Sequence, residues 1–576
     1  MSRIKTTLLV TAIACFCATG AFAAEREFEF DGKYLNLPVK NEARDCLLSL
    51  EIDGEKVREF TINLAPGEPD FWVYLDVREF AGKKGKLIAK EVSSRQMKAF
   101  EAVYQADTFP GEDKLYKEKL RPQFHFSSKR GWNNDPNGLM YYDGEYHLFY
   151  QHNPFGWPWG NMTWGHAVST DLVHWTELGD ALHPDELGTM FSGSGVVDWK
   201  NTTGFQTGDD PPLICIYTNA GDSNPWSEGE PFTQGIAYSN DRGRTWTKYE
   251  GNPVQGHMNE GNRDPKVIWW EESNEWVIAL YLRGGRMAFF KSPDLKRWEF
   301  QSVLQSFGEC PELFQLAVDG DEDNKKWIFY GGSGDYFIGD FDGSRFEPER
   351  DRIHYNYGNC FYASQTFSDI PEEDGRRIQI GWGQVDLRGM PFNQMMTFPV
   401  TLTLRSTDEG LRMFAYPVEE IEKLHGKGHE WEDEKLEPGD NPLEDVKGNL
   451  FDIAAEIELG SAEEVGLEIN GFRVSYNVEE KRLAAGNIEE RRRGADEEDE
   501  EDGDRGAATL APVDGKIRLR ILVDRPSVEI FANDGRIYMP MQHVRDLNNK
   551  SLKIYAKGGT ANIEELTVHE IKPIWP

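Results

Sequence analysis

Apolar and polar positions alternate over short runs along most of this chain, and turn residues separate the runs, so the pattern predicts strands almost throughout. In residues 25–118, Cys46–Ile52, the Asp53-Gly54 turn and 57–64 read as a hairpin, with another strand at 71–77. This stretch is predicted to be a small N-terminal β domain. Residues 108–119, with Pro110, Gly111 and mixed charges, read as a linker. From 121 to 405 the pattern repeats. Ser169-Thr170-Asp171 leads to Trp175, Ser239-Asn240-Asp241 to Trp246, and Ser292-Pro293-Asp294 to Trp298. Each reads as a strand end, a tight turn and a Trp opening the next strand. The three Asp lie about 70 and 53 positions apart, room for four strands with loops. Hairpins precede these endings: 139–142 with 145–150 around Asp143-Gly144, 267–270 with 276–280, and 313–318 with 327–330. Residues 191–197 with 213–218, and 361–367 with 378–382, supply two more units. Five such units predict a five-bladed β-propeller over 121–405. Strands resume at 411–576, densest at 516–531, and predict a β-sandwich. The expected fold is therefore all-β: a five-bladed β-propeller followed by a β-sandwich, with an extra small N-terminal β domain.

Length agrees with this division, since 576 residues leave each part enough chain to bury a core. The N-terminus changes the picture. Arg3 and Lys5 precede an apolar run at 8–17, and Ala21-Phe22-Ala23 forms a cleavage pattern. Residues 1–23 are therefore expected to be an export signal, giving a secreted or periplasmic protein whose mature chain does not insert in a membrane. Lipidation at Cys15 is the alternative, but the residues before it fit a lipobox poorly. Cys46, Cys215, Cys310 and Cys360 remain, without Cys-x-x-Cys spacing, so no zinc site and no metal are expected. Free, buried thiols are the favoured reading. Residues 489–505 hold an acidic run, read as a solvated loop between sandwich strands.

Charge narrows the partner. Lys and Arg number 63 against 99 Asp and Glu, a formal net charge of −36. This argues against nucleic acid and polyanions and suits a neutral substrate. The 17 Trp, 21 Tyr and 33 Phe supply both β-cores and sugar-stacking faces.

The repeat places three acids alike. Asp135-Pro136, Asp264-Pro265 and Glu309-Cys310-Pro311 each precede the first strand of a unit. In a propeller, first strands line the central channel, so these carboxylates would converge at one end. Two convergent carboxylates, one attacking the anomeric carbon and one protonating the leaving oxygen, are what retaining glycoside hydrolysis needs. Taken singly, each acid is also an ordinary turn or surface residue; their recurrence favours a shared site. No Ser-His-Asp order or phosphate loop competes, and Gly331-Gly332-Ser333-Gly334 reads as a strand-end turn.

The run Trp132-Asn133-Asn134-Asp135-Pro136-Asn137-Gly138 resembles the W-x-N-D-P-N-G signature of glycoside hydrolase family 32, the invertases, inulinases and levanases. The similarity continues through 149–154, 164–167, 191–194, 263–265, 309–311 and 361–367, and again at 523–531. It covers about 121–576. It implies a nucleophile at Asp135, an acid/base at Glu309 and a transition-state stabiliser at Asp264. It also implies substrate contacts at Trp132, Asn134, Gln151, Trp159, Phe191, Ser192, Arg263, Cys310 and Trp382, no cofactor, and a fructan or sucrose substrate. Asn133 departs from a frequent Met, and the stretch after Trp382 lacks a clear Trp-Arg-Gly, which leaves the pocket rim open. Residues 33–38 and 67–72 resemble an accessory domain ahead of bacterial levanases, expected to brace the propeller. The sequence points to exo-acting release of fructose from levan or inulin. Endo-levanase, fructosyltransferase, arabinan cleavage and non-catalytic fructan binding remain the alternatives.

Overall fold

The computed structural model describes residues 21–259, 261–488, 505–544 and 546–575. Of the expected export segment, residues 1–20 lie outside this set. Positions 21–23 open the strand Ala21–Glu29, which pairs with Lys84–Ser93, so cleavage after Ala23 would leave 24–29 paired. Nearly all of the acidic run expected as a loop, residues 489–504, also lies outside the described residues.

The N-terminal part forms two sheets. Ala21–Glu29, Lys84–Ser93, Cys46–Ile52 and Glu55–Ile62 make one; Phe71–Asp76, Tyr34–Val39 and Tyr104–Ala106 make the other. Period-two alternation sends Leu35, Leu37, Leu48, Leu50, Val73 and Leu87 into one buried core. A helix, Ser94–Ala102, was not predicted from the strand pattern. Its start is fixed by a capping box in which Ser93 and Gln96 satisfy each other's backbone N–H groups.

Among the described residues, the central part consists of five antiparallel units. Their first strands are Gly131–Tyr142, Thr189–Val197, Arg263–Trp270, Glu312–Val318 and Tyr362–Thr366. The strand Phe392–Asn393, late in the chain, pairs in parallel with Gly131–Tyr142 and ties the fifth unit to the first. First strands pack on one another from unit to unit, the first against the second and fifth, and the second against the third. The fifth unit ends with the hairpin Val400–Thr407 and Gly410–Pro417. It therefore runs to residue 417, whereas the sequence pattern ended it at 405 and gave 411 onward to the sandwich. Both strands alternate, and pairing partner cannot be read from alternation alone.

The repeated Ser-x-Asp endings have a structural cause. The hydroxyls of Ser169, Ser239 and Ser292 donate to Asp171, Asp241 and Asp294, at 3.2, 2.7 and 3.3 Å. Each Asp then accepts backbone N–H groups just beyond it: Val173 and His174, Thr245, and Lys296 and Arg297. These are Asx-type turns. The following Trp175 and Trp246 indoles donate to Leu172 and Gly243 carbonyls and lock the chain reversal.

The C-terminal part is a sandwich of a six-stranded and a five-stranded sheet around Ile453, Leu467, Val474, Ile521, Ile530 and Ile554. It is fastened to the central part by buried charge. Asp524 accepts the backbone N–H groups of Gln123 and Phe124 at 2.8 and 3.1 Å. His125 lies between Asp524 (2.8 Å) and Glu529 (3.0 Å), with all three side chains fully buried. Burial opposes charge on His125, but hydrogen bonds to the two acids outweigh it and raise the imidazole to about 9.

Asp524→Ala is therefore expected to lower stability by about 3–5 kcal/mol, because it strands a buried imidazolium, as chemical denaturation would measure. A raised histidine stabilises the fold fully below its ordinary value of 6.5 and loses that contribution as pH rises through about 9. His125→Asn should flatten this alkaline limb of the stability curve.

Candidate active site

The heads of the first strands are irregular in a repeated way. Register shifts fall at Asn133/Pro136, Phe191/Gly193, Arg263/Lys266 and Tyr362/Gln365. Each is a bulge, which turns a side chain out of the regular pleat. The Pro after Asp135 and Asp264 suits such a place, since it has no N–H to give a ladder. Gly193 is required there: a Cβ would lie 2.0 Å from the Ile216 carbonyl oxygen. Asp264 and Cys310 sit in the left-handed region, at φ of 59° and 56°, a conformation that costs a non-glycine residue about 1–3 kcal/mol.

These bulges bring the predicted acids together. Asp135 accepts a hydrogen bond from the Ser192 hydroxyl at 2.6 Å and one from the Asn134 amide at 2.9 Å. The Cys310 thiol lies 3.9 Å from Asp135 and 3.7 Å from Asp264, and the Cys310 N–H donates to Asp264 at 3.3 Å. Asp264 is fixed from behind, where its own N–H donates to the Thr218 hydroxyl at 3.1 Å. Arg263 links the other two acids. Its guanidinium donates to Glu309 at 2.8 Å through Nε, and also through Nη2, and stands 3.6 Å from Asp264. Ser194 stitches the second unit to the third by donating to the Pro265 carbonyl and accepting from the Val267 N–H.

The aromatic candidates surround this cluster. The Trp132 indole donates to Asn134 at 2.8 Å, and its ring meets Trp382 edge-on at 5.9 Å. Trp382 is itself held by Gln394. Phe191 meets Trp159 edge-on at 6.0 Å, and Trp159 is 54% exposed. Gln151 is placed differently. It is buried, and its amide donates to the Met190 carbonyl at 2.8 Å, so its visible partner is backbone rather than an acid. Tyr362 was not singled out from the sequence, though it lies within the 361–367 similarity. Its phenol donates to Glu309 at 3.0 Å, on the oxygen that Arg263 leaves free. Thr218 and Gln394 had no sequence signal, because their roles depend on which strands become neighbours. Cys46, Cys215 and Cys360 are free and buried as expected, and Cys310 is free and partly exposed. Among the described residues, no group of three or more His, Cys, Asp or Glu is placed to hold a metal ion.

Electrostatics separates the acids. Burial raises Asp135 above the ordinary carboxylate range, opposed by the bonds from Ser192 and Asn134 and assisted by Glu309. Asp264 is pushed up to about 8, by burial and then by Glu309, with Arg263 pulling the other way. Three acids facing one guanidinium leave the cluster short of positive charge, and holding a proton relieves it.

A cluster of carboxyls at the heads of three β units, with aromatic side chains around it, can accommodate a neutral polyhydroxy ligand. Comparison with known proteins identifies the family. The model for the glycosyl hydrolases family 32 N-terminal domain matches residues 125–417, and that for the family 32 C-terminal domain matches 420–570. A levanase of Bacillus subtilis is 42% identical over 499 residues, 81% of this chain and 72% of that protein. An extracellular exo-inulinase of Aspergillus ficuum is 30% identical, across 80% of this chain and 96% of its own. In three dimensions, the exo-inulinase of Aspergillus awamori superposes with a TM-score of 0.70 at 27% identity, covering 80% of this chain and all of that one. A fructofuranosidase of Schwanniomyces occidentalis complexed with fructosylnystose gives the same score and identity. The chain belongs to glycoside hydrolase family 32.

The Asp264 carboxyl makes a prediction that needs no substrate. The folded protein keeps a proton that the unfolded chain releases near the ordinary value of 3.8. Stability must therefore fall as pH rises from about 4 to about 8. Asp264→Asn removes that loss, so its melting temperature should rise relative to the unmodified protein across this window, as thermal melts at stepped pH would record.

Proposed function

We propose that this protein is a secreted retaining hydrolase that releases fructose from the ends of β-fructan chains, levan or inulin, and also cleaves sucrose. The single observation that carries this reading is the unequal setting of Asp135 and Glu309. Asp135, half-buried, accepts hydrogen bonds from Ser192 and Asn134. Glu309 is held on both oxygens by proton-bearing groups, Arg263 and Tyr362. The two acids thus stand in different settings at one place, as the division between a nucleophile and an acid/base requires. In this reading an Asp135 oxygen bonds to the anomeric carbon as its bond to the leaving oxygen breaks, and Glu309 gives that oxygen its proton. Glu309 then takes a proton from water, the water oxygen bonds to the anomeric carbon, and Asp135 leaves as a carboxylate. Asp264 would hydrogen-bond sugar hydroxyls through contacts that strengthen in the transition state. Trp132, Trp382, Phe191 and Trp159 would be the walls, and Arg263 and Cys310 would tune the acids.

The substrate class is supported by the relatives: levanases, exo-inulinases and fructofuranosidases. The five antiparallel units are read as the blades of a five-bladed propeller whose channel mouth is this site, which their sequential packing supports. Export is supported by the basic and apolar start of the chain and by the extracellular naming of relatives.

Product analysis on levan, inulin and sucrose tests the reading. Free fructose is expected from the first time points. Glu309→Gln should lower kcat by about 10²- to 10⁴-fold, and Asp135→Asn at least as far. Early oligosaccharides would replace the exo reading by an endo one. Retained fructan binding with no cleavage would leave only a glycan-binding role.

A further inference from the structure

The relatives described above match about 80% of this chain, and the family models begin at residue 125. The N-terminal β domain therefore stands outside what they explain. It is locked onto the loop that carries Trp159. The Asn161 side chain mimics a strand neighbour, accepting from the Thr61 N–H and donating to the Thr61 carbonyl, both at 2.8 Å. The same amide donates to Asn153 at 3.0 Å. Phe155 stacks on Phe60 with ring centroids 3.7 Å apart, and is buried in the N-terminal domain's own core.

Next to this joint is a cavity of about 270 Å³, close to the small end of small-molecule sites, about 300–1,000 Å³. The N-terminal domain contributes Asp45, Leu47, Glu59 and Asn63 to its lining, and the central part contributes Trp159 and Thr189. One feature points to a ligand. Trp159 offers an exposed indole with its edge against Phe191, and a sugar face stacks on such a surface. The cavity also adjoins the acids. Thr189 and Ser192 lie on one strand, three residues apart, or about 10 Å along an extended chain, and Ser192 holds Asp135.

We infer that this groove binds the sugar units of a fructan chain that lie beyond the bond being cleaved. The N-terminal domain would then set a preference for long chains and would not serve only as a brace. The inference rests on the fructan-hydrolase reading. The cavity lining holds Asp45 and no Lys, Arg or His, which suits a neutral ligand and disfavours an anionic one. Sucrose is too short to reach past the pocket into the groove.

The test compares substrates in one protein. Leu47 is half-buried and Asp45 exposed on the groove wall; Leu47→Trp and Asp45→Trp would each fill it, and thermal melts would verify that both fold. kcat/KM is measured on sucrose and on levan and inulin oligosaccharides of increasing length. The ratio of long-chain to sucrose kcat/KM should fall about fivefold in both variants, with the loss growing with chain length. An unchanged ratio, or equal losses on sucrose and long chains, would overturn the inference and leave the hydrolase reading intact. If the unmodified protein cleaves none of these substrates, that reading fails. Levan binding that Leu47→Trp abolishes would then still support the groove, and its absence would sink both.

Discussion

The constraint on which this structure depends is that Asp135, Asp264 and Glu309, of which Asp264 is buried and the other two half-buried, share one place with a single guanidinium. Like charges so arranged repel, and burial strips them of water. The fold answers with fixed donors: Ser192 and Asn134 on Asp135, the Cys310 N–H on Asp264, and Arg263 and Tyr362 on Glu309. Each donor comes from the head of a first strand or the loop leading to one, so the cluster exists only when several units are assembled. The left-handed backbones of Asp264 and Cys310 are a further cost borne at this place, as expected where a site and not stability has shaped the chain.

The remainder of the scaffold supplies rigidity around that point. Asx turns with their Trp locks close the units, Ser194 ties one first strand to the next, and Phe392–Asn393 returns from late in the chain to join the first unit. The sandwich is anchored through His125, Asp524 and Glu529, a charged contact in a fully buried position. Such a contact tolerates no sliding, and it fixes the segment 123–125 that leads into the first unit. At the other end of the chain, Asn161 and Phe155 fasten the N-terminal domain to the loop bearing Trp159. Both neighbours thus meet the central part through short, specific joints.

The sequence by itself determined the strands, because alternation reports one buried face, and it determined the repeat, because each unit needs the same turn chemistry. It also grouped Asp135, Asp264 and Glu309 by their like positions at the starts of three repeat units, and the resemblance supplied the aromatic candidates around them. Tertiary structure decided which strands pair, so Gly410–Pro417 joined the fifth unit although its alternation suited either neighbour. It decided the partners of each acid, revealing Tyr362 and Thr218, and it fixed Gln151 on the Met190 carbonyl. It decided that the N-terminal domain shares a groove with Trp159. The physical reason is the same throughout. Alternation and turn residues act over a few positions of chain, whereas a pKa, a hydrogen-bond partner or a groove depends on groups 46 to 175 residues apart, as Arg263 is from Glu309 and Cys310 from Asp135, and only the folded packing brings them within reach.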